Sequence, residues 1–243
     1  MPASTVKIPS SSGGGAFDCY VVLPESGDKT PAIVLANAIV GVDEDLCGIA
    51  DEFAAAGFIA AAPDLFWRTV PGPLLHEDPR TRPRGQPRLQ KIKTGEADMA
   101  DTLNYVRTLP QHNGRAATMG FCYGGPYAIL GPKRLGYDAG ISCHGTQLLD
   151  FIGEADGLAA PICIMWGDKD FAGPPEVRDA YRALAARKSN VAVHIFPGID
   201  HGYMLPHSAP AFDAKARAFS MARALAILEA LRGGRKPKLE AAE

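Results

Sequence analysis

The sequence predicts an α/β fold: a mainly parallel central sheet covered by helices on both faces. Two observations carry that prediction. From Pro31 to Leu231, short apolar runs alternate with longer stretches of helical periodicity, the rhythm of strands joined by crossover helices. The 243 residues are 47% apolar and show no composition break, which suits one large core. The expected organisation is a single domain over residues 1–232 and a flexible C-terminal tail over 233–243. In that tail, GGRKPKLEAAE has too little apolar content to dock.

Taken in order, Val6-Lys7-Ile8 and Phe17 to Leu23 read as an opening hairpin around the turn Ser10 to Gly15. Pro31 to Ala36 is a short buried strand. After Gly41 comes a helix that Asp43 can cap, with Leu46, Ile49, Ala50, Phe53 and Ala54 on one face and Gly57 at its end. Phe58 to Ala62 is the next strand, closed by Pro63-Asp64. From Leu65 to Arg88 the rhythm breaks: prolines at 71, 73, 79, 83 and 87 forbid a regular element and predict a long surface excursion. A helix follows over Leu89 to Leu109, with Met99, Leu103, Tyr105 and Val106 inward, then a strand from Ala116 to Phe121. Ala139 to Cys143, Pro161 to Trp166 and Val191 to Phe196 complete the strands, and Pro175 to Arg187 is a helix between the last two. The closing helix spans Ala211 to Leu231, with Phe219, Leu225, Ile227, Leu228 and Leu231 toward the sheet.

A formal charge of -2 and 21% charged residues describe an ordinary soluble protein and exclude a basic nucleic-acid binder. No apolar run approaches the ~20 residues needed to cross a bilayer, and Met1 to Ser12 carries no charged-then-apolar leader, so a cytoplasmic location is expected. The cysteines at 19, 47, 122, 143 and 163 form no C-x-x-C pair, no disulfide framework and no zinc spacing. Cys19, Cys143 and Cys163 lie in apolar runs and read as small core residues. No metal or cofactor site is implied; the expected partner is a small molecule, for a monomer or small homo-oligomer.

The chemistry centres on Gly120-Phe121-Cys122-Tyr123-Gly124-Gly125, where an apolar run turns into a helix-like run beginning at Pro126. It matches G-x-S-x-G, the nucleophile elbow of α/β-hydrolases, with a thiol in the serine position. A free thiol has a pKa of ~8.5, and lowering it by ~1.5 units takes ~2 kcal/mol, more than an exposed helix N-terminus supplies. A partner is therefore required, and the order nucleophile, acid, histidine points downstream. Gly167-Asp168-Lys169-Asp170 and Asp200-His201-Gly202 each follow a strand, and we assign Asp170 as acid and His201 as base. Singly, each has an ordinary reading as turn former, solvated loop residue or buried thiol; their coincidence at three strand ends in chain order points to catalysis. The oxyanion hole falls to the backbone N–H groups of Tyr123 and, from the Ala38-Ile39 loop, Ile39. Trp67, His144 and the Tyr123 side chain are pocket candidates by position.

Together with Asn37 to Val42, Pro63 to Phe66 and His201-Gly202-Tyr203, these stretches resemble the dienelactone hydrolase family, cysteine-dependent members of the α/β-hydrolase fold. The resemblance runs from about Val6 to Leu228. It implies a Cys122, Asp170, His201 triad and hydrolysis of an ester or lactone through a thioester. Two family features are missing: Ala38 stands where the family has an activating glutamate, and Gly202 to Pro206 lacks the arginine that binds the substrate carboxylate. A further family arginine lies in the excursion, where Arg80, Arg82, Arg84 and Arg88 compete. At least three of them are expected to be solvated surface charges. With the glutamate gone, His201 is expected to activate the thiol directly. The alternative is a catalytically silent scaffold binding a small ligand or partner, which selective alkylation of Cys122 at neutral pH distinguishes from an enzyme.

Overall fold

In the computed structural model, which describes residues 3–207, 209–237 and 239, the opening runs form an antiparallel hairpin of β1 (Ala3–Pro9) and β2 (Ala16–Val22). The chain then alternates through β3 (Thr30–Ala36), α1 (Glu44–Ala55), β4 (Ile59–Pro63), α2 (Arg88–Arg107), β5 (His112–Phe121) and α3 (Tyr127–Leu130). It continues with β6 (Ala139–Cys143), α4 (Ile152–Asp156), β7 (Ile162–Gly167), α5 (Pro175–Arg187), β8 (Val191–Phe196) and α6 (Ala214–Arg232). The strands lie in the order β1-β2-β4-β3-β5-β6-β7-β8 in one sheet. β2 meets β4 antiparallel, and every pairing from β4 to β8 is parallel.

Strand periodicity divides the core between the two faces. Ile33, Leu35, Ala117, Met119 and Ile141 point to one face, where α1 contributes Leu46, Ile49 and Phe53 and α6 contributes Ala224, Ile227 and Leu228. Ala32 and Val34 point to the other, against Met99, Leu103 and Val106 of α2. Further along that face, Ile162, Ile164 and Trp166 meet Val177, Tyr181 and Leu184 of α5. Both faces are therefore covered, and strands buried on both sides need continuous apolar runs, as the sequence has. Asp43 caps α1 as expected, its carboxylate accepting the Leu46 N–H at 3.0 Å.

Three local expectations change. α6 starts at Ala214 rather than Ala211, because Asp213 accepts the N–H groups of Lys215 and Ala216 at 3.0 and 2.8 Å and sets the first turn. Phe219 stays 37% exposed at the sheet edge, its ring against His194 and Phe196 of β8. The C-terminal segment does not simply leave: Arg235 N–H returns to the Ala230 carbonyl at 2.9 Å and Leu239 packs on the core, while residues 238 and 240–243 lie outside the described residues.

The stretch 65–88 is the long surface excursion expected, with half of its residues exposed, but it is tied down at a few buried points. Asp64, buried, accepts the N–H groups of Phe66 and Gly72, and the guanidinium of Arg68 forms a two-point ion pair with buried Asp98 of α2 at 2.5 and 3.0 Å. Arg84, only 2% exposed, donates to the carbonyls of Ile39, Val70 and Gly72 and lies over the Phe66 ring. Where an irregular segment dips inward its backbone polar groups need partners, and here Arg84 serves the carbonyls and Asp64 the N–H groups. Arg88 is half-buried too, so only Arg80 and Arg82 are the solvated charges expected of at least three.

Candidate active site

All the loops that matter leave the C-terminal ends of parallel strands: Ala38 to Asp43 after β3, Cys122 after β5, His144 after β6, Asp170 after β7 and His201 after β8. β3 and β5 are neighbours although the chain runs out to β4 between them, so their loops diverge and open a crevice at the switch point.

Cys122 sits at the turn with φ 47°, a left-handed conformation unusual for a side-chain-bearing residue. The elbow closes only because its flanks are glycine. A Cβ on Gly124 would lie 2.2 Å from the Ala36 carbonyl oxygen, and one on Gly120 would lie 2.0 Å from that of Gly124. The helical run beyond is irregular: a 3₁₀ turn over Cys122–Gly124, the single turn of α3 and a π-helical stretch over Gly131–Leu135.

His201 reaches the site because the β7 and β8 loops touch. Gly167 admits the Ile199 carbonyl where a Cβ would stand 1.9 Å from its oxygen, and Lys169 N–H donates to the same carbonyl at 2.9 Å. Asp170, buried, accepts from His201 Nδ1 at 2.8 Å and from the Ala172 N–H at 2.8 Å. Asp168, the other acid of that loop, accepts the Gly198 N–H at 2.7 Å and is a turn former. With Nδ1 held by Asp170, the buried Nε2 meets no other hydrogen bond of ordinary geometry and is left to the thiol.

Burial pushes the Cys122 thiol up, but His201, then the Arg88 guanidinium and the Ile39 N–H, outweigh it and hold the thiol below its ordinary value. Burial likewise pushes His201 down, yet Asp170 and Cys122 hold it up at about 10. The two shifts are opposite, as in a thiolate–imidazolium pair. Arg88 donates to the Tyr123 carbonyl at 3.1 Å and to Thr146 Oγ1, whose own hydroxyl donates to the Cys122 carbonyl at 3.1 Å, so a cation is anchored behind the elbow.

The two backbone donors are placed by different means. Ile39 belongs to a loop held by Arg84, whose Nε and Nη2 donate to the Ile39 carbonyl at 3.0 and 2.5 Å, and by Asn37, which bonds the Ala38 carbonyl at 2.8 Å. Tyr123 is the second residue of the 3₁₀ turn, where the first N–H groups have no partner within the turn. Its ring is buried against Phe66 and under Arg88. Of the other pocket candidates, His144 lies fully buried with its ring 5.0 Å from that of His201, and neither of its ring nitrogens has a hydrogen-bond partner among the described residues. Burial and His201 hold it well below the usual imidazole value, so it is neutral. Trp67 is elsewhere, under Arg68 with its Nε1–H on Asp98 at 3.0 Å.

A cavity of about 970 Å³ opens over Cys122, His144 and His201. Its walls come from the β3 loop, from 73–77 and Arg82 of the long loop, and from 205–207 and 209–211 after β8. A smaller cavity of about 390 Å³ at the opposite ends of the strands, by Arg115, Asp138 and Pro161, brings no nucleophile together. Among the described residues no group of three His, Cys, Asp or Glu side chains could hold a metal, and no helix is long and apolar enough to cross a membrane. Sequence reasoning missed Arg84 and Arg88 as anchors of the site, since nothing in their spacing separates them from Arg80 and Arg82.

The sheet order, with an elbow after β5 and loops from β7 and β8 converging on it, is that of an α/β-hydrolase. The chain belongs to the dienelactone hydrolase family, whose model matches residues 17–231. It is 29% identical to carboxymethylenebutenolidase 1 of Cupriavidus pinatubonensis, over 96% of this chain and 99% of that protein. It is 27% identical to a carboxymethylenebutenolidase of Pseudomonas sp., over 91% and 93% of the two chains. Among solved structures, a dienelactone hydrolase-like promiscuous phosphotriesterase from metagenomic libraries superposes with a TM-score of 0.78 at 18% identity, covering 95% of this chain and 99% of that one.

Proposed function

We propose that this chain hydrolyses ester or lactone bonds with Cys122 as nucleophile, His201 as general base and acid, and Asp170 as the group that orients His201. The observation that carries the reading is the convergence of three strand ends: Cys122 on its left-handed elbow and His201, held through Nδ1 by buried Asp170 at 2.8 Å, meet at the floor of a cavity of about 970 Å³. The thiolate attacks the carbonyl carbon, and the carbonyl π electrons move to oxygen. The oxyanion takes the N–H groups of Ile39 and Tyr123, the first of which faces the thiolate in the free protein. As the tetrahedral species collapses, the C–O bond to the leaving group breaks and the His201 Nε2 proton passes to the departing oxygen. Water, deprotonated by the now neutral His201, attacks the thioester. The acid leaves, and the proton on His201 restores the thiolate–imidazolium pair.

Asp170 supports this by accepting from Nδ1, which fixes the tautomer that presents Nε2 to the reaction and favours the charged ring. The activating glutamate of the family has no counterpart at Ala38, and the positive groups around the thiol, His201 and Arg88, take over that task. The experiment is intact-protein mass spectrometry after brief exposure to an aryl ester. An acyl adduct on Cys122 that decays at the turnover rate supports the reading; hydrolysis that survives in Cys122→Ala overturns it.

A further inference from the structure

We propose that the cavity is built for uncharged esters or lactones with an apolar acyl part, and that it disfavours substrates carrying a carboxylate. The inference rests on the hydrolytic reading of the site and names its substrate class. It starts from what has become of the arginines. Arg80 is paired with Asp78, Arg84 is spent on three carbonyls beneath the loop, and Arg88 is anchored behind the elbow. Arg82 is the one arginine or lysine on the cavity wall among the described residues, and it is exposed.

Against it stand the carboxylates of Asp43, Glu44, Glu77 and Asp200, which line the same cavity from three loops, while the His207 ring there is already paired with Asp45 and lies 3.9 Å from Glu44. The N-terminus of α1 also faces the cavity and would ordinarily attract an anion. The chain's own acids already occupy it: Asp43 caps the helix, Glu44 and Asp45 fill the first turn, and Asp45 holds His207 at 2.6 Å. An incoming carboxylate meets repulsion here.

The apolar part of the wall points the same way. The most exposed large hydrophobic side chains among the described residues are Phe171, at 73%, and Leu75, at 70%. Both line this cavity, one from the loop after β7 and one from the long loop. Large apolar groups held in water at a cavity mouth are the mark of a ligand surface. Phe171 lies 4.5 Å, ring to ring, from His201, so an apolar acyl chain resting on it would bring its carbonyl toward the thiol.

The test uses p-nitrophenyl hexanoate and the mono-p-nitrophenyl ester of adipic acid, which share a leaving group and a chain length and differ in a terminal methyl against a carboxylate. At about 0.01 M salt, where the screening length is ~30 Å, the hexanoate should have a kcat/KM at least about tenfold higher, and about 1 M salt should narrow the gap. Glu44→Lys and Glu77→Lys should each raise the adipate-to-hexanoate ratio, and Leu75→Ser should lower the hexanoate-to-acetate ratio several-fold. Equal or faster hydrolysis of the adipate ester at low salt, abolished by Arg82→Ala, overturns the inference while leaving Cys122 as nucleophile. Failure of both esters to acylate Cys122 overturns the hydrolytic reading itself, so the two failures are distinguishable.

Discussion

Cys122 and Cys143 stand at the ends of neighbouring strands, the register pairing Phe121 of β5 with Cys143 of β6. Cys143 continues its strand, so its side chain enters the core, where burial pushes the thiol up to about 12 against weaker help from Tyr203 and Ser220. Cys122 lies one residue beyond its strand, and a φ of 47° turns the chain so that the thiol meets His201, Arg88 and the Ile39 N–H. Cys163, raised to about 12, and Cys47, raised to about 11, behave like Cys143. Burial alone makes an inert cysteine; the backbone turn and the charges it faces make a reactive one.

The strongest way to break the comparison is at the thiol itself. Cys122→Ala should lower kcat/KM for aryl esters by at least ~10³, because a covalent route loses its nucleophile outright. Asp170→Asn should cost ~10²–10⁴ in kcat by releasing the His201 tautomer, with a small effect on KM. Steady-state assays on purified variants measure both.

Titration of reactivity sharpens it. An acid whose pKa is lowered is charged above that lowered value, and a base whose pKa is raised keeps its proton below the raised one. The thiolate–imidazolium pair therefore persists from the lowered thiol value up to about 10, where His201 deprotonates. Iodoacetamide should label Cys122 faster than the other cysteines at neutral pH, with a midpoint below that of a free thiol. In His201→Ala, burial is opposed only by Arg88 and the Ile39 N–H, so the alkylation midpoint should move up past the ~8.5 of a free thiol.

An intermediate effect is expected at Arg84, which touches no reacting atom. Arg84→Met leaves the carbonyls of Ile39, Val70 and Gly72 without their donor, and each buried carbonyl left unpaired costs ~1–3 kcal/mol. Thermal unfolding should show that loss. A fall in kcat with unchanged alkylation of Cys122 would mean that Arg84 matters through the oxyanion loop.

The contrast between Arg84 and Asp170 shows where sequence reading stops. The sheet, its covering helices and the meeting of Cys122, Asp170 and His201 at one end of it were legible because each follows from local pattern: apolar runs of strand length, the glycines around Cys122, and an acid and a histidine at later strand ends. The helix Pro175–Arg187 matches to the residue because Pro174 and Pro175 fix its start. The loop 65–88 lies on the surface as its prolines foretold, but proline content reports only the absence of regular structure and says nothing of what anchors the loop. What anchors it is a set of side-chain donors acting over long separations, such as Arg84 to the Ile39 carbonyl, and no periodicity marks such a pair. Leu75 and Phe171 were missed as a pair for the same reason, since they lie in loops far apart in the chain.

The smallest effect belongs to the cysteine on the inert side of the comparison. Cys143 is fully buried beside Tyr203, Tyr203 in turn bonds Ser220 at 2.9 Å, and the thiol contributes packing but no charge at neutral pH. Cys143→Ala removes one buried sulfur and leaves a small void, a loss of ~1 kcal/mol that should lower the unfolding midpoint by a few degrees. The β6 backbone that leads to His144 is unchanged, so kcat/KM and the alkylation profile of Cys122 should match the wild type. A fall in activity larger than the stability loss would show that the two strand ends are coupled through the core, and would undo the separation between a packing cysteine and a reacting one.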